Sequence, residues 1–305
     1  MTASGNHKIL FIINPAAGTN NTDWPQLITN YFASPNYTIQ FFYLPKKCNE
    51  ALITEKIEVF NPRKVIAVGG DGTIKLVAAC LIKKDIPLGI LPAGSANGLA
   101  KELGISEVPE EALSVIVNGF SKKIHITNIN SQMCIHLSDI GFNAYAIKGF
   151  EIQHKRGMWG YLKASLKVLW KNPVMEIEML IDNKAVKIKA AMIVIANATK
   201  YGTGAVINPI GKLDDDMFEV IAVKKISIHE IFKMTFSHAP YDINKTELFQ
   251  THTLLMRSQK KVHFQVDGEY MGMVNEVKAT LIKDALEIIV PSPKSEYKSN
   301  IEIIE

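Results

Sequence analysis

The segment that most constrains the fold is a short apolar run that ends in three glycines placed around an acidic residue. Residues 65–68 suit one buried strand, the loop Gly69-Gly70-Asp71-Gly72-Thr73 follows directly, and a helical pattern covers residues 73–82. Glycines let the backbone approach a ligand closely, and the free N–H groups at a helix N-terminus attract anions. The pattern therefore predicts a phosphate-binding strand–loop–helix unit. A plain tight turn is the alternative, because Gly and Asp also favour turns.

The first 120 residues repeat this alternation of strand and helix. Short apolar runs separated by helical patterns are typical of a parallel sheet with helices on both faces. We therefore predict a Rossmann-like α/β domain over residues 1–125. Helices are predicted to open near Asp23 and Ala96 and to cover residues 48–60 and 73–82. The predicted strands are residues 8–13, 37–44, 65–68 and 87–91.

The pattern changes after Gly119, where strand patterns dominate. Many short strands with few crossover helices indicate an antiparallel sandwich or barrel, and we predict a β-sandwich domain over residues 126–290. Two helical patterns interrupt it, at residues 157–171 and 227–236. The tail, residues 291–305, either returns to the first domain as a strand or frays. The predicted strands are residues 122–128, 133–138, 174–181, 185–197, 217–223, 252–257, 260–266, 276–282 and 286–290.

Composition and net charge indicate the cellular compartment and the class of binding partner. Three cysteines without CxxC spacing argue against a disulfide framework and a structural zinc site, which favours a reducing cytoplasm. We expect no signal peptide, and no apolar run approaches the roughly 18–20 residues that a membrane span needs. A net charge of +4 suits an anionic ligand or a membrane surface and is too small to indicate nucleic acid.

Two further loops of small residues follow predicted strands. Asn14-Pro15-Ala16-Ala17-Gly18 comes after the first strand, and Leu-Pro-Ala-Gly-Ser-Ala-Asn-Gly at residues 91–98 comes after the fourth. Because an open parallel sheet binds ligands at the carboxyl ends of its strands, we expect these loops and residues 69–73 to converge on one cleft. The chain has no GxxxxGK[ST], GxGxxG or HExxH motif, so a P-loop NTPase, a GxGxxG dehydrogenase and an HExxH zinc enzyme are not indicated.

Together these motifs resemble the lipid kinases that group bacterial diacylglycerol kinases with sphingosine and ceramide kinases. The resemblance covers nearly the whole chain and includes three later motifs: Lys155-Arg156-Gly157 with Tyr161, Lys212-Leu213-Asp214-Asp215 and Val266-Asp267-Gly268-Glu269. It implies an ATP-binding first domain and a lipid-binding second domain. It also implies Mg²⁺-dependent transfer of the γ-phosphoryl group of ATP to a hydroxyl of diacylglycerol or a sphingoid-like lipid. NAD kinases share GGDGT, but the Asn-Pro-x-x-Gly and Asp-Gly-Glu motifs favour the lipid kinases.

The resemblance also implies roles for individual residues. Either Asp71 or Glu269 is the implied general base, and Asp71 is also an implied magnesium ligand. Asp215, with the backbone carbonyls of Lys212 and Met217, matches a structural magnesium site. The implied ATP-binding residues are Asn14, Gly18, Gly69, Gly70, Gly72, Thr73, Gly94, Ser95 and Asn97.

Some positions depart from the family pattern. The family usually has Glu-Val and Asn-Gly on the helix after GGDGT, where this chain has Leu76-Val77 and Ala79-Cys80. Gly98 stands where diacylglycerol kinases have an aspartate. These departures leave the identity of the lipid open. The altered helix also keeps open the alternative of a catalytically weak regulator that binds lipid or nucleotide. An NAD kinase-like enzyme is the other alternative, because it shares GGDGT.

A basic stripe is predicted on the second helical pattern. Lys163, Lys167 and Lys171 are spaced i, i+4 and i+8, so they lie on one helix face. The stripe suits peripheral contact with anionic lipid headgroups; the alternative is an ordinary helix whose lysines face water. The ordinary helix is the favoured interpretation, because most amphipathic helices in globular domains are of that kind. We therefore predict a cytoplasmic protein, with peripheral membrane contact and a homodimer kept as open alternatives.

Overall fold

The strands form one mixed sheet that is parallel at one end and antiparallel at the other. The computed structural model describes residues 7–17, 22–152, 158–169, 174–200, 206–232 and 242–293. Within these residues fourteen strands are joined by hydrogen bonds into a single sheet. This arrangement confirms the predicted combination of an N-terminal α/β part and a C-terminal antiparallel β region.

The parallel end follows the predicted alternation of strand and helix. Phe11 pairs with Phe41 on one side and with Ile66 on the other, and Leu10, Phe11 and Ile66 are fully buried. Burial on both faces explains why these strands read as continuous apolar runs. The elements are β1 (His7–Ile13), α1 (Trp24–Tyr31), β2 (Tyr37–Tyr43), α2 (Glu50–Phe60), β3 (Lys64–Gly69), α3 (Asp71–Leu81), β4 (Leu88–Pro92), α4 (Gly98–Glu102) and α5 (Pro109–Asn118).

Local capping sets where these helices begin. The Asp23 carboxylate accepts the N–H of Gln26 at 3.1 Å, and Pro25 stands in the first turn of α1, as predicted. The Asn49 side chain accepts the N–H of Leu52 and caps α2 in the same way. Helix α5 was not among the predicted elements, although Pro109 at its start is the signal that could have identified it.

The antiparallel end has two hydrophobic layers. One face of its strands packs in a cluster that includes Ile193, Phe218 and Phe264, and the other face packs under helices through Phe142 and Val168. The elements are β5 (Phe120–Ile129), β6 (Gln132–Cys134), β7 (Leu137–Gly141), α6 (Phe142–Ile152), α7 (Met158–Leu169), β8 (Met175–Ile181), β9 (Lys184–Ala190), β10 (Met192–Ala196), β11 (Phe218–Val223), α8 (Ile228–Phe232), β12 (Thr246–Thr251), β13 (Thr253–Val266) and β14 (Glu269–Val290).

Three sequence predictions for this region were wrong in detail. The strand predicted over residues 185–197 is two strands, because β9 pairs with β8 whereas β10 pairs with β7 and β11. The strands predicted at 252–257 and 260–266 are one strand, β13. The strands predicted at 276–282 and 286–290 likewise belong to one strand, β14. Both β13 and β14 contain a register irregularity, which breaks the alternating pattern in the sequence. Helix α6 and strand β12 were not predicted.

Strand β14 connects the two ends of the sheet. Its first half pairs with β13, and its last residues lie between β5 and β4, where Ile288 pairs in parallel with Leu88. Leu286 and Ile288 are buried in the hydrophobic cluster of the parallel end. The chain thus returns to the first part before the predicted tail, of which residues 294–305 lie outside the described residues. The predicted division at residue 125 falls inside β5 and stays a prediction.

The described helices were also compared with the dimensions of a membrane span. None of them is both long enough and apolar enough to cross a bilayer.

Candidate active site

The first glycine-rich loop joins β3 to α3 at the carboxyl edge of the parallel sheet. Gly70 and Gly94 are in direct contact: a Cβ on Gly94 would lie 2.4 Å from the Gly70 Cα. A Cβ on Gly72 would meet no atom of the described part of the chain within 4 Å. The two glycine loops therefore pack against each other and leave the start of α3 accessible to an anion.

The second loop is closed by an asparagine. The Asn97 side chain accepts the N–H of Gly94 at 2.8 Å and donates to the Gly94 carbonyl at 3.0 Å. Asn97 is buried and takes the left-handed conformation with φ 52°, which Asn tolerates better than most residues. Ser95 is exposed at the tip of this loop. Asn97 therefore shapes the loop, and Ser95 is the side chain free to meet a ligand.

The loop after β1 joins the same site. The Asn14 side chain donates to the Thr73 hydroxyl at 2.9 Å and accepts the N–H of Ala16 at 3.0 Å. Asn14 also donates its own backbone N–H to Val68 at the end of β3. The structure thus brings together all the predicted ATP-binding residues except Gly18, which lies outside the described residues.

Asp71 connects the two glycine loops through its carboxylate. One oxygen accepts the N–H of Gly98 at 2.9 Å, and the other accepts the N–H of Leu99 at 3.0 Å. These amides open α4, so a carboxylate here is favoured by the helix end. The absence of a side chain at Gly98 is compatible with this approach. Asp71 therefore has a positioning role that the sequence did not indicate.

Glu269 lies at the start of β14, after a tight turn of two residues with positive φ, Asp267 at 49° and Gly268 at 84°. The Asp267 carboxylate accepts the N–H groups of Ile135 at 3.2 Å and His136 at 2.9 Å. These bonds explain why an aspartate is needed at the turn. The Glu269 side chain is 62% exposed, so it is accessible to a substrate.

A lysine from the first part of the chain meets this turn. Lys75 of α3 places its Nζ 3.2 Å from an oxygen of Asp267 and 4.0 Å from an oxygen of Glu269. The contact brings the turn that holds Glu269 beside the helix whose first residue is Asp71. The two candidate bases, which are far apart in sequence, therefore belong to segments that are in contact.

Comparisons with known proteins identify the family of the chain. The profile of the diacylglycerol kinase catalytic domain matches residues 8–129. The profile of the YegS C-terminal NAD kinase beta sandwich-like domain matches residues 140–290. The chain belongs to the YegS and diacylglycerol kinase family of lipid kinases.

Three relatives illustrate how far the sequence similarity extends. The chain is 27% identical over 242 residues to a diacylglycerol kinase of Bacillus subtilis, a match that covers 76% of this chain and 79% of the relative. It is 40% identical over 102 residues to the lipid kinase YegS of Escherichia coli, which covers 32% of this chain and 34% of YegS. An uncharacterized Synechocystis protein is 26% identical over 307 residues, 93% of this chain and 70% of that protein.

Solved structures share the fold. A putative diacylglycerol kinase from Bacillus anthracis superposes with a TM-score of 0.72 at 19% identity over 93% of this chain and 97% of its own. An NAD kinase from Archaeoglobus fulgidus in complex with ATP superposes with a TM-score of 0.55 at 11% identity over 92% of this chain and 93% of its own. At these identities the likeness concerns the fold alone.

The predicted magnesium loop, residues 212–217, contains two ion-paired aspartates. Asp214 pairs with Lys122 at 2.9 Å, and Asp216 pairs with Lys283 at 2.8 Å. The hydrogen bond from Lys283, together with its charge, lowers the pKa of Asp216. Asp214 and Asp216 are therefore already neutralised by protein cations.

Asp215 lies between these two aspartates in the sequence and differs from them in its contacts. Its Oδ1 is buried and has no hydrogen-bond partner among the residues that the structure describes. Burial raises the pKa of nearby Glu219, and the charge of Asp215 adds to that rise. An unpartnered carboxylate oxygen beside a second carboxylate fits a magnesium ion, which prefers oxygen ligands. The described residues contain no group of three His, Cys, Asp or Glu side chains placed for a metal, so the ligands Lys212 and Met217, through their carbonyls, stay a prediction.

The departures on α3 have a structural explanation. Leu76 packs against the hydrophobic cluster of the parallel end, and the Cys80 thiol contacts the Glu50 carbonyl at the start of α2. Burial raises the pKa of the Cys80 thiol, which keeps it protonated and inert. These altered positions therefore contribute to packing between α2 and α3, whereas Lys75 faces the cleft.

Proposed function

We propose that the protein transfers the γ-phosphoryl group of ATP to a hydroxyl of a lipid, either diacylglycerol or a sphingoid-like lipid. The observation that carries this proposal is the contact of the Asp267–Glu269 turn with α3. The proposal is supported by the exposure of the Glu269 carboxylate and by the distance of 4.0 Å between it and Lys75 of α3, the helix that follows the first glycine-rich loop. Phosphoryl transfer needs mainly positioning and charge stabilisation, which such a cleft supplies.

The contacts favour Glu269 as the base over Asp71. Both Asp71 oxygens already accept backbone N–H groups, whereas Glu269 is largely exposed. Glu269 would accept the hydroxyl proton as the acceptor oxygen forms its bond to the γ-phosphorus and the bond from phosphorus to ADP breaks. Asp71 would hold the two glycine loops in register around the nucleotide.

Magnesium, when bound, would neutralise charge on the ATP phosphates. In the proposed site Asp71 has lone pairs left for such an ion, because each oxygen accepts only one N–H. Asp215 would serve the separate structural site. Peripheral contact of α7 with a membrane and a homodimer stay predictions.

The deciding experiment measures transfer of label from γ-labelled ATP to lipids presented in mixed micelles. Diacylglycerol, a sphingoid base and a total lipid extract serve as acceptors, and the Glu269→Gln variant serves as the control. We expect a labelled lipid with the parent protein and at least a 100-fold slower reaction with the variant, since a general base contributes roughly 10²–10⁴ in rate. Labelled NADP formed from NAD would instead support an NAD kinase. Nucleotide binding without transfer to any acceptor would support a regulator.

A further inference from the structure

Lys75 is a charged residue of the cleft that none of the recognised motifs includes. It stands four residues after Asp71 on α3, so the two side chains lie on the same face of the helix. Its Nζ lies 3.2 Å from Asp267 and 4.0 Å from Glu269. The side chains of Lys75 and Asp267 are only 18% and 8% exposed, so solvent screens their attraction weakly.

The turn that Lys75 contacts is well supported on its other side. Gly268 donates its N–H to the Gln265 side chain at 2.7 Å, and Gln265 donates to the buried Asp139 at 2.6 Å. The Asp267 N–H is bonded to the Leu137 carbonyl. These bonds fix the turn to the antiparallel part of the sheet. The contact with Lys75 is what ties the turn to the helix of the phosphate-binding loop.

We propose that Lys75 is a positioning residue that holds the Asp267–Glu269 turn, and with it the Glu269 carboxylate, against the phosphate-binding loop. The proposal rests on the proposed function for its catalytic consequence. Without the ammonium group, the Asp267 carboxylate would face α3 without a counter-charge, and the turn would open away from the helix. A displacement of about 1 Å between reacting groups lowers a rate on the order of 100-fold, so a loose turn would slow transfer without loosening the nucleotide.

Three variants test this role. Lys75→Met removes the charge but keeps a long flexible side chain, and Lys75→Arg keeps the charge. Lys245→Met is the matched control, because Lys245 also lies 3.2 Å from a buried carboxylate, that of Glu230. Lys245 precedes β12, whose first residue pairs with Val223, at the end of β11 remote from the Asp267 turn.

The first measurement needs no substrate and no activity. Hydrogen exchange of the Asp267 and Gly268 amides, which are bonded to Leu137 and Gln265, reports whether loss of the Lys75 contact also loosens the bonds that hold the turn. We expect Lys75→Met to speed this exchange on the order of tenfold, since hydrogen bonds to charged groups stabilise by about that factor or more. Lys75→Arg and Lys245→Met should leave it within about twofold of the parent. Unchanged exchange in Lys75→Met would overturn the proposal whether or not the protein proves to be a kinase.

The second measurement separates positioning from direct phosphate binding. We expect Lys75→Met to lower kcat by roughly 10- to 100-fold while the Kd for MgATP, measured by calorimetry, stays within about twofold, with kcat restored in Lys75→Arg. A weakened Kd with unchanged kcat would make Lys75 a nucleotide ligand and overturn the proposal. If Lys75→Met does not fold, Lys75→Gln replaces it. If kcat falls as far in Lys75→Arg as in the neutral variant, the positive charge is not what positions the turn, and the proposal is overturned.

Discussion

At the scale of single residues, Asp71 is the position where structure most changes the interpretation of the motif. The sequence suggests a magnesium ligand or a base, and the structure shows both carboxylate oxygens bound to the amides that open α4. An asparagine can accept only one of these bonds and would turn its NH₂ group toward the other N–H. We therefore expect Asp71→Asn to lose activity and also about 1–2 kcal/mol of unfolding free energy, measured by urea denaturation.

The N-cap residue of α1, Asp23, provides the control for Asp71. Asp23 accepts a single N–H, that of Gln26, at the start of α1, and Asn is an equally good N-cap. Asp23→Asn should therefore change the unfolding free energy by less than about 0.5 kcal/mol. Equal stability of Asp71→Asn and the parent would show that the bonds to Gly98 and Leu99 do not need the carboxylate.

Glu269 permits a kinetic test at the same scale. If it takes the hydroxyl proton, Glu269→Gln should lower kcat with little change in the Kd for MgATP, because the interaction is made chiefly in the transition state. It should also remove the acidic limb of the pH–rate profile, where that limb reports this carboxylate. If the variant instead binds ATP weakly and keeps kcat, Glu269 is a nucleotide or metal ligand and the base role passes to Asp71.

At the scale of elements, local patterns were enough to predict the parallel strands and their loops. Strands β1, β3 and β4 are almost fully buried and the loops after them contain glycines, so the signal lies within about ten residues. The pattern failed where long-range pairing decides the structure. Examples are the division of β9 from β10 at Ala191 and the irregularities inside β13 and β14. The contact of Lys75 with Asp267 could not be predicted, because it depends on how two distant segments pack.

The loop that contains Asp215 yields a prediction about magnesium. If an ion binds the unpartnered Asp215 oxygen, millimolar Mg²⁺ should raise the Tm of the parent by about 2–4 °C without nucleotide, by mass action on the folded state. Asp215→Asn should abolish that shift, measured by differential scanning calorimetry. Asp214→Asn is the control and should retain it, because Asp214 is half exposed and pairs with Lys122. A Tm that Mg²⁺ leaves unchanged would argue against the site.

Helix α7 carries the predicted basic stripe. Lys163 and Lys167 are both exposed on it, while Lys171 lies outside the described residues. Replacing Lys163 and Lys167 by Gln should weaken binding to anionic vesicles by roughly 30-fold at low salt and less at high salt, since each lysine near such a surface contributes about 1 kcal/mol. The control replaces Lys187 and Lys189 of β9, which changes the net charge equally. An equal loss in both pairs would indicate a general charge effect and an ordinary helix.

At the scale of the whole molecule, β14 determines how the two parts of the chain respond to one another. It spans 22 residues, pairs with β13 in the antiparallel part, and ends beside β4 in the parallel part. A strand that contributes residues to the hydrophobic cluster of the parallel end and to a cluster of the antiparallel end cannot leave one without exposing residues of the other. We therefore expect both parts to unfold in one cooperative transition, although they read in sequence as two domains.

Leu286→Ala tests this expectation. Leu286 is 1% exposed in the cluster of the parallel end, and its truncation should lower the unfolding free energy by about 2–5 kcal/mol. If β14 couples the two parts, hydrogen exchange governed by global opening should accelerate equally at Ile66 of β3 and at Ile193 of β10. The converse variant, Ile193→Ala in the antiparallel cluster, should accelerate both sites as well. Faster exchange confined to the part that carries the substitution would show two independently folding units. Strand β14 would then connect the two parts without coupling their stabilities.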